Sequence, residues 1–231
     1  VSVKGEAIRH PFLTEPVSND VMLGPKSHFL FLTGPNMAGK TTFMKALGVT
    51  VYLAHIGMAV PAGRLEIGNL DALASSLHVE DNLERGHSFY FSEVRRVKDV
   101  AEALQAGRRL LVLFDELFKG TNVKDAIDGS RLVIEGLLQW ETGLFVLSSH
   151  LVELTEPLSR VDRITFSYFE STLRDGRPQF SYRLRPGVSH QRLGMLILEN
   201  EGVPALLRRS TSAHEEAPHL HGEDAGLSER R

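Results

Sequence analysis

Residues Gly34-Pro35-Asn36-Met37-Ala38-Gly39-Lys40-Thr41 fit the pattern G-x-x-x-x-G-K-[ST] at every fixed position. They follow an apolar run, His28-Phe29-Leu30-Phe31-Leu32-Thr33, and open a helical pattern, Thr42-Phe43-Met44-Lys45-Ala46-Leu47. A strand, a glycine-bounded loop and a helix in that order leave few folds open: the unit is the core of a phosphate-binding α/β sheet. Glycines at both ends let the backbone curl until successive N–H groups point inward at phosphate oxygens, and the helix adds the positive end of its dipole. Lys40 is placed to reach the β- and γ-phosphates of a nucleoside triphosphate, and the Thr41 hydroxyl to bind Mg2+.

Two further strand ends supply the rest of a hydrolytic site. Arg109-Leu110-Leu111-Val112-Leu113-Phe114 is a continuous apolar run, as expected of a parallel strand buried on both faces, and it ends in Asp115-Glu116. Asp115 suits water-mediated Mg2+ binding. Glu116 suits polarisation of the attacking water, since a general base must lie within one hydrogen bond of its proton. Asp-Glu pairs also end strands at surfaces; the phosphate loop favours the catalytic reading. Gly143-Leu144-Phe145-Val146-Leu147-Ser148-Ser149-His150 is a third buried strand, and His150 at its end is a candidate γ-phosphate sensor or water-orienting group, although strand-end histidines are commonly plain. No second histidine follows His150-Leu151-Val152-Glu153 at zinc-protease spacing, so metal ligation by that pair is rejected.

The string Thr33-Gly34-Pro35-Asn36-Met37-Ala38-Gly39-Lys40-Thr41-Thr42 resembles T-G-P-N-M-G-G-K-S-T, the phosphate loop of MutS-type DNA mismatch-repair ATPases, with Ala38 for glycine and Thr41 for serine. The resemblance extends to Arg9-His10-Pro11, Val17-Ser18-Asn19-Asp20, Ile56-Gly57, Val60-Pro61-Ala62 and Glu66-Ile67-Gly68. Asp115-Glu116-Leu117-Phe118-Lys119-Gly120-Thr121-Asn122 is similar to D-E-I-G-R-G-T-S, and Ser149-His150-Leu151-Val152-Glu153-Leu154 to T-H-Y-F-E-L. It covers about residues 8 to 207.

The resemblance implies further roles. Ser88, within Gly86-His87-Ser88-Phe89-Tyr90, takes the place of a serine that reaches the γ-phosphate of a partner copy, and Glu93 closes that motif. Asn36 would sit over the triphosphate. Adenine would lie between a residue near Val17 and Tyr182, whose ring can stack on a base or simply pack within its strand. Two segments depart from the family: Val123-Lys124-Asp125-Ala126-Ile127-Asp128-Gly129 is longer than S-T-Y-D-G, and Gln191-Arg192-Leu193-Gly194 stands where many members have K-S-Y-G. Asn122-Val123-Lys124-Asp125 has the wrong order for a guanine-reading N-K-x-D, so the base is read as adenine.

A chain of 231 residues suffices for one α/β domain with a sizeable core. With 26 basic and 29 acidic residues, no whole-domain basic footprint for nucleic acid exists, so DNA contact implied by the resemblance falls to a local patch, a partner copy or other domains. The chain has no cysteine, which excludes disulfides and cysteine-ligated zinc. No apolar run reaches membrane-spanning length, and a cytoplasmic location is expected. The first residue is Val1, and the family's ATPase module is the C-terminal part of a longer chain, so an excised domain or shortened relative is expected.

Glycine and proline punctuate residues 57 to 91, which read as turn-rich. Helices are expected over 92–106, with Val94, Val97, Ala101 and Leu104 inward and Arg95 and Arg96 on a solvated face, and over 126–140, with Ile127, Leu132 or Val133, Ile134, Leu137 and Leu138 inward. Arg174-Asp175-Gly176-Arg177 signals a turn between strands at 164–169 and 180–184. Residues 210–231 lose their apolar face and read as a disordered tail.

These observations define an expected architecture and activity. The fold is an α/β P-loop NTPase over 1–209, with an ABC-like mixed sheet flanked by helices and a C-terminal antiparallel hairpin. Its activity is Mg2+-dependent ATP hydrolysis in a head-to-tail homodimer that couples nucleotide state to DNA binding. Rivals are an ABC- or SMC-type motor, whose L-S-G-G-Q segment is missing here, and a non-hydrolysing ATP-dependent dimerisation module.

Overall fold

A computed structural model describes residues 1–77, 89–189, 191 and 193–208, with Phe89 described in its backbone alone. Its strands are β1 Val3–Ile8, β2 Asn19–Leu23, β3 Phe29–Thr33, β4 Arg64–Ile67, β5 Ala72–Ser76, β6 Leu110–Asp115, β7 Gly143–Ser148, β8 Ile164–Arg174 and β9 Arg177–Pro186. Its α-helices are α1 Lys40–His55, α2 Phe89–Gln105, α3 Val123–Leu137, α4 Thr155–Leu158, α5 Gly194–Asn200 and α6 Val203–Leu207.

The main sheet runs β5-β6-β7-β3-β8-β9; all neighbours pair in parallel except β9, which returns antiparallel along β8. The apolar runs of β3, β6 and β7 feed both faces by simple alternation. Leu30, Leu32, Leu111, Leu113, Leu144 and Val146 join α1 residues Phe43, Met44, Leu47 and Val51 in one core. Phe29, Phe31, Leu110, Val112, Phe114, Phe145 and Leu147 turn to the other face, against Leu104 of α2 and Ile134 and Leu137 of α3. Sheet and helices thus form a three-layer α/β domain. Gly48 lets α1 approach closely, since a Cβ there would lie 3.0 Å from Leu113 Cδ1.

A second, antiparallel sheet of order β2-β1-β4 closes the N-terminal side and packs Val3, Ile8, Val21 and Leu23 onto the α1 core. Three findings correct the sequence expectation. The turn-rich stretch 57–91 contains β4 and the edge strand β5. In α2 Glu93, Val100 and Leu104 are buried and Val97 packs against the core as expected, while Val94 is exposed. Arg96 is not on a solvated face: its Nη1 donates to Ser76 Oγ at 3.2 Å. In α3, Leu132 points outward and Val133 packs against the core. No helix among the described residues is long and apolar enough to cross a membrane.

Candidate functional site

Parallel sheets of this kind carry ligands at the C-terminal ends of their strands, and there the loops after β3, β6 and β7 meet. β3 is the strand between β7 and β8. Its loop leaves through Gly34 (φ 130°) and enters α1 through Gly39 (φ 107°). Both are conformations open to glycine and rarely to other residues. A Cβ on Gly39 would lie 3.2 Å from Tyr182 Cδ1, so the glycine also permits close approach. Met37 takes the left-handed form (φ 67°) and is exposed, whereas Ala38 is buried and has no positive φ, so alanine fits there without strain.

Lys40 is 5 % exposed; its Nζ donates to the carbonyl oxygens of Gly34 (2.7 Å) and Pro35 (3.0 Å). Burial lowers its pKa, against the opposing pull of Glu116 and Asp115. The ammonium is therefore held inside the loop by two carbonyls, and the nearby carboxylates of Glu116 and Asp115 favour its charge. Thr41 Oγ1 donates to Asp115 Oδ2 at 2.6 Å, and Ser148 Oγ donates to Asp115 Oδ1. An all-oxygen pair of hydroxyl and carboxylate next to a phosphate-type loop fits a hard cation such as Mg2+, which takes few protein ligands and completes its shell with phosphate and water.

Glu116 stands in the left-handed region (φ 57°), and its N–H donates to Ser148 O at 3.0 Å. One carboxylate oxygen, Oε2, receives both Lys119 Nζ (2.8 Å) and His150 Nδ1 (3.3 Å). Burial would raise the Glu116 pKa, but the hydrogen bonds from His150 and Lys119 win and hold it at about 2. The same contact raises the His150 pKa, partly offset by burial. Glu93 is 3 % exposed beneath this turn, and its Oε1 accepts the N–H of Phe118 at 3.1 Å. Phe118 is itself left-handed (φ 62°), so the buried carboxylate secures a strained segment.

Val17, Asn36, Met37, Ala38, Gly39, Lys40, Thr41, Thr42, Glu116 and Tyr182 all line one cavity of about 500 Å³. Gly34, Pro35, Asn36, Glu116 and His150 line a second, of about 670 Å³, on the other side of the loop. Ser88 lies outside the described residues, as does the 210–231 segment. Asn122 has a plain structural role as the N-cap of α3, its Oδ1 accepting the Asp125 N–H at 3.0 Å. Sequence reasoning missed Lys119, whose signal is its spacing three residues after Glu116. It also missed Ser148, a hydroxyl at a strand end, and Phe169, which gives no signal beyond being apolar and packs under Gly34 and Gly39.

Sheet, loop and helix together define an α/β domain of the P-loop NTPase-like class. The chain belongs to the MutS family: the family model for MutS domain V matches residues 30–217. Proteins named DNA mismatch repair protein MutS are similar to it. That of Chloroflexus aurantiacus is 34 % identical over 217 residues, covering 89 % of this chain and 22 % of the relative. That of Streptococcus sanguinis is 28 % identical (91 % and 24 %), and that of Anaplasma phagocytophilum 31 % (94 % and 27 %). The chain thus spans about a quarter of the length of the curated relatives it matches.

Proposed function

We propose that this chain is the ATP-binding and ATP-hydrolysing part of a MutS-type DNA repair protein, residues 1–209 forming the ATPase domain with an ABC-like sheet. The observation that carries the reading is the meeting of Thr41, Asp115 and Glu116 beside Lys40 at the end of β3. Backbone N–H groups of residues 36 to 41 cradle the phosphates, and Lys40 exchanges its loop carbonyls for β- and γ-phosphate oxygens. Thr41 and Asp115 hold Mg2+, whose chemistry is to neutralise charge on the transferring phosphoryl group. Asn36 covers the triphosphate, and the base enters between Val17 and Tyr182.

Lys119 and His150 fix Glu116 through Oε2 and leave Oε1 to accept the proton of the attacking water. A second copy, arranged head to tail, supplies Ser88. ATP can drive that closure only by binding the closed dimer better than the open chain. The reading includes coupling of nucleotide state to DNA binding and a cytoplasmic location, supported by the similarity to proteins named DNA mismatch repair protein MutS.

One observation favours a second reading, ATP as dimerisation glue without turnover: a carboxylate held at about 2 is a weak base. Sedimentation of the chain with Mg2+ and ATP, with Mg2+ and ADP, and with neither tests the shared part. The proposal expects dimer with ATP alone; a monomer under all three conditions contradicts it.

A further inference from the structure

Two β-bulges flank the candidate nucleotide cavity, and a single dipeptide, Asn19-Asp20, secures both. In the β8–β9 ladder Phe169 pairs with Leu184 and Ser171 with Phe180, so Glu170 alone faces Ser181, Tyr182 and Arg183. The bulge breaks the ladder and leaves backbone groups to be satisfied elsewhere. Asn19, at the start of β2, takes two of them: its Nδ2 donates to Tyr182 O at 3.0 Å, and its Oδ1 accepts the Leu184 N–H at 2.7 Å. Tyr182 sits within this clasp at φ 55°, a costly conformation for an aromatic residue, and its ring lies over Gly39 of the phosphate loop.

On the other side, Gly5 pairs with Val21 and Ile8 with Asn19, so Glu6 and Ala7 bulge opposite Asp20. Ala7 is left-handed (φ 52°), and its N–H is taken by Asp20 Oδ1 at 2.7 Å. That bulge turns Ile8 into the cavity wall.

We propose that Asn19 is a positioning residue for nucleotide recognition: its carboxamide locks the β9 bulge that carries the Tyr182 ring across the mouth of the phosphate loop, where the ring serves as a nucleobase platform. The inference rests on the ATP reading above. Strain at Tyr182 is otherwise unaccounted for, because a regular β9 would place its ring on the ladder rather than over Gly39. Asn19 lines the same cavity, but its carboxamide bonds to β9 and not to the phosphate loop, so its effect is expected where a base is present.

Binding of Mg2+–ATP and of inorganic tripolyphosphate with Mg2+ is measured by calorimetry for the unaltered chain, Asn19→Ala, Tyr182→Ala and the double variant. Loss of a stacking platform weakens ATP binding about tenfold. Asn19→Ala is expected to show that loss for ATP with tripolyphosphate unchanged, and to add nothing in the Tyr182→Ala background. If Asn19→Ala does not fold, Asn19→Asp carries the test, since it keeps the acceptor for Leu184 and loses the donor to Tyr182. Equal weakening of both probes, no weakening of ATP, or full additivity overturns the inference. An unaltered chain that binds neither probe overturns the ATP reading as well.

Discussion

Thr41 Oγ1 donates to Asp115 Oδ2 across 2.6 Å, joining the first turn of α1 to the end of β6 over 74 residues of sequence. The pair shares one carboxylate with Ser148, so three elements meet at the proposed cation position. Thr41→Ser keeps the hydroxyl and should retain Mg2+-dependent ATP binding. Thr41→Val and Asp115→Asn should bind ATP in Mg2+ no better than the unaltered chain does in EDTA. Calorimetry with and without Mg2+ checks this.

Lys119 and His150 converge on Glu116 Oε2. If this contact orients the base, Lys119→Ala should lower kcat about tenfold, because a small misplacement of a reacting group is costly. The affinity for ATP should change little. Steady-state kinetics beside equilibrium binding separates the two. A rise in kcat would mean instead that Lys119 restrains Glu116.

Glu93 titrates against its surroundings. Burial raises its pKa above 4.5, opposed by the Phe118 N–H and Lys119. The native state therefore holds this proton more tightly than the unfolded chain, and stability falls as pH rises from about 4.5 through the raised pKa. Glu93→Gln keeps an acceptor for Phe118 and removes the buried charge. Its thermal midpoint should exceed that of the unaltered chain at pH 8, with the gain shrinking as pH approaches 4.5. Thermal scans across that range decide the point.

The central strands were legible in the sequence because β3, β6 and β7 are buried on both faces, and burial of that kind leaves unbroken apolar runs. The edge strand β5 was not. Ala72-Leu73-Ala74-Ser75-Ser76 lacks β-branched and aromatic residues and alternates between half-exposed and exposed positions until Ser76. In α2 the apolar spacing admitted Val94, yet Val94 is 38 % exposed and Val100 5 %. The helix is rotated so that Glu93 can reach Phe118, a tertiary demand no local pattern records. At the site, the phosphate loop and Asp115-Glu116 were legible as contiguous strings. The clasp of Asn19 on β9 was not, since it joins residues 163 apart and answers a bulge that only the ladder reveals.

The most direct test of the account is steady-state Mg2+–ATP turnover of the chain and of Glu116→Gln across protein concentration, with ATP binding measured in parallel. The account predicts activity per molecule that rises with concentration and falls at least about a hundredfold in Glu116→Gln, whose ATP binding is retained. Equal turnover by both proteins, or none by the unaltered chain at any concentration while ATP is bound, would contradict hydrolysis at this site.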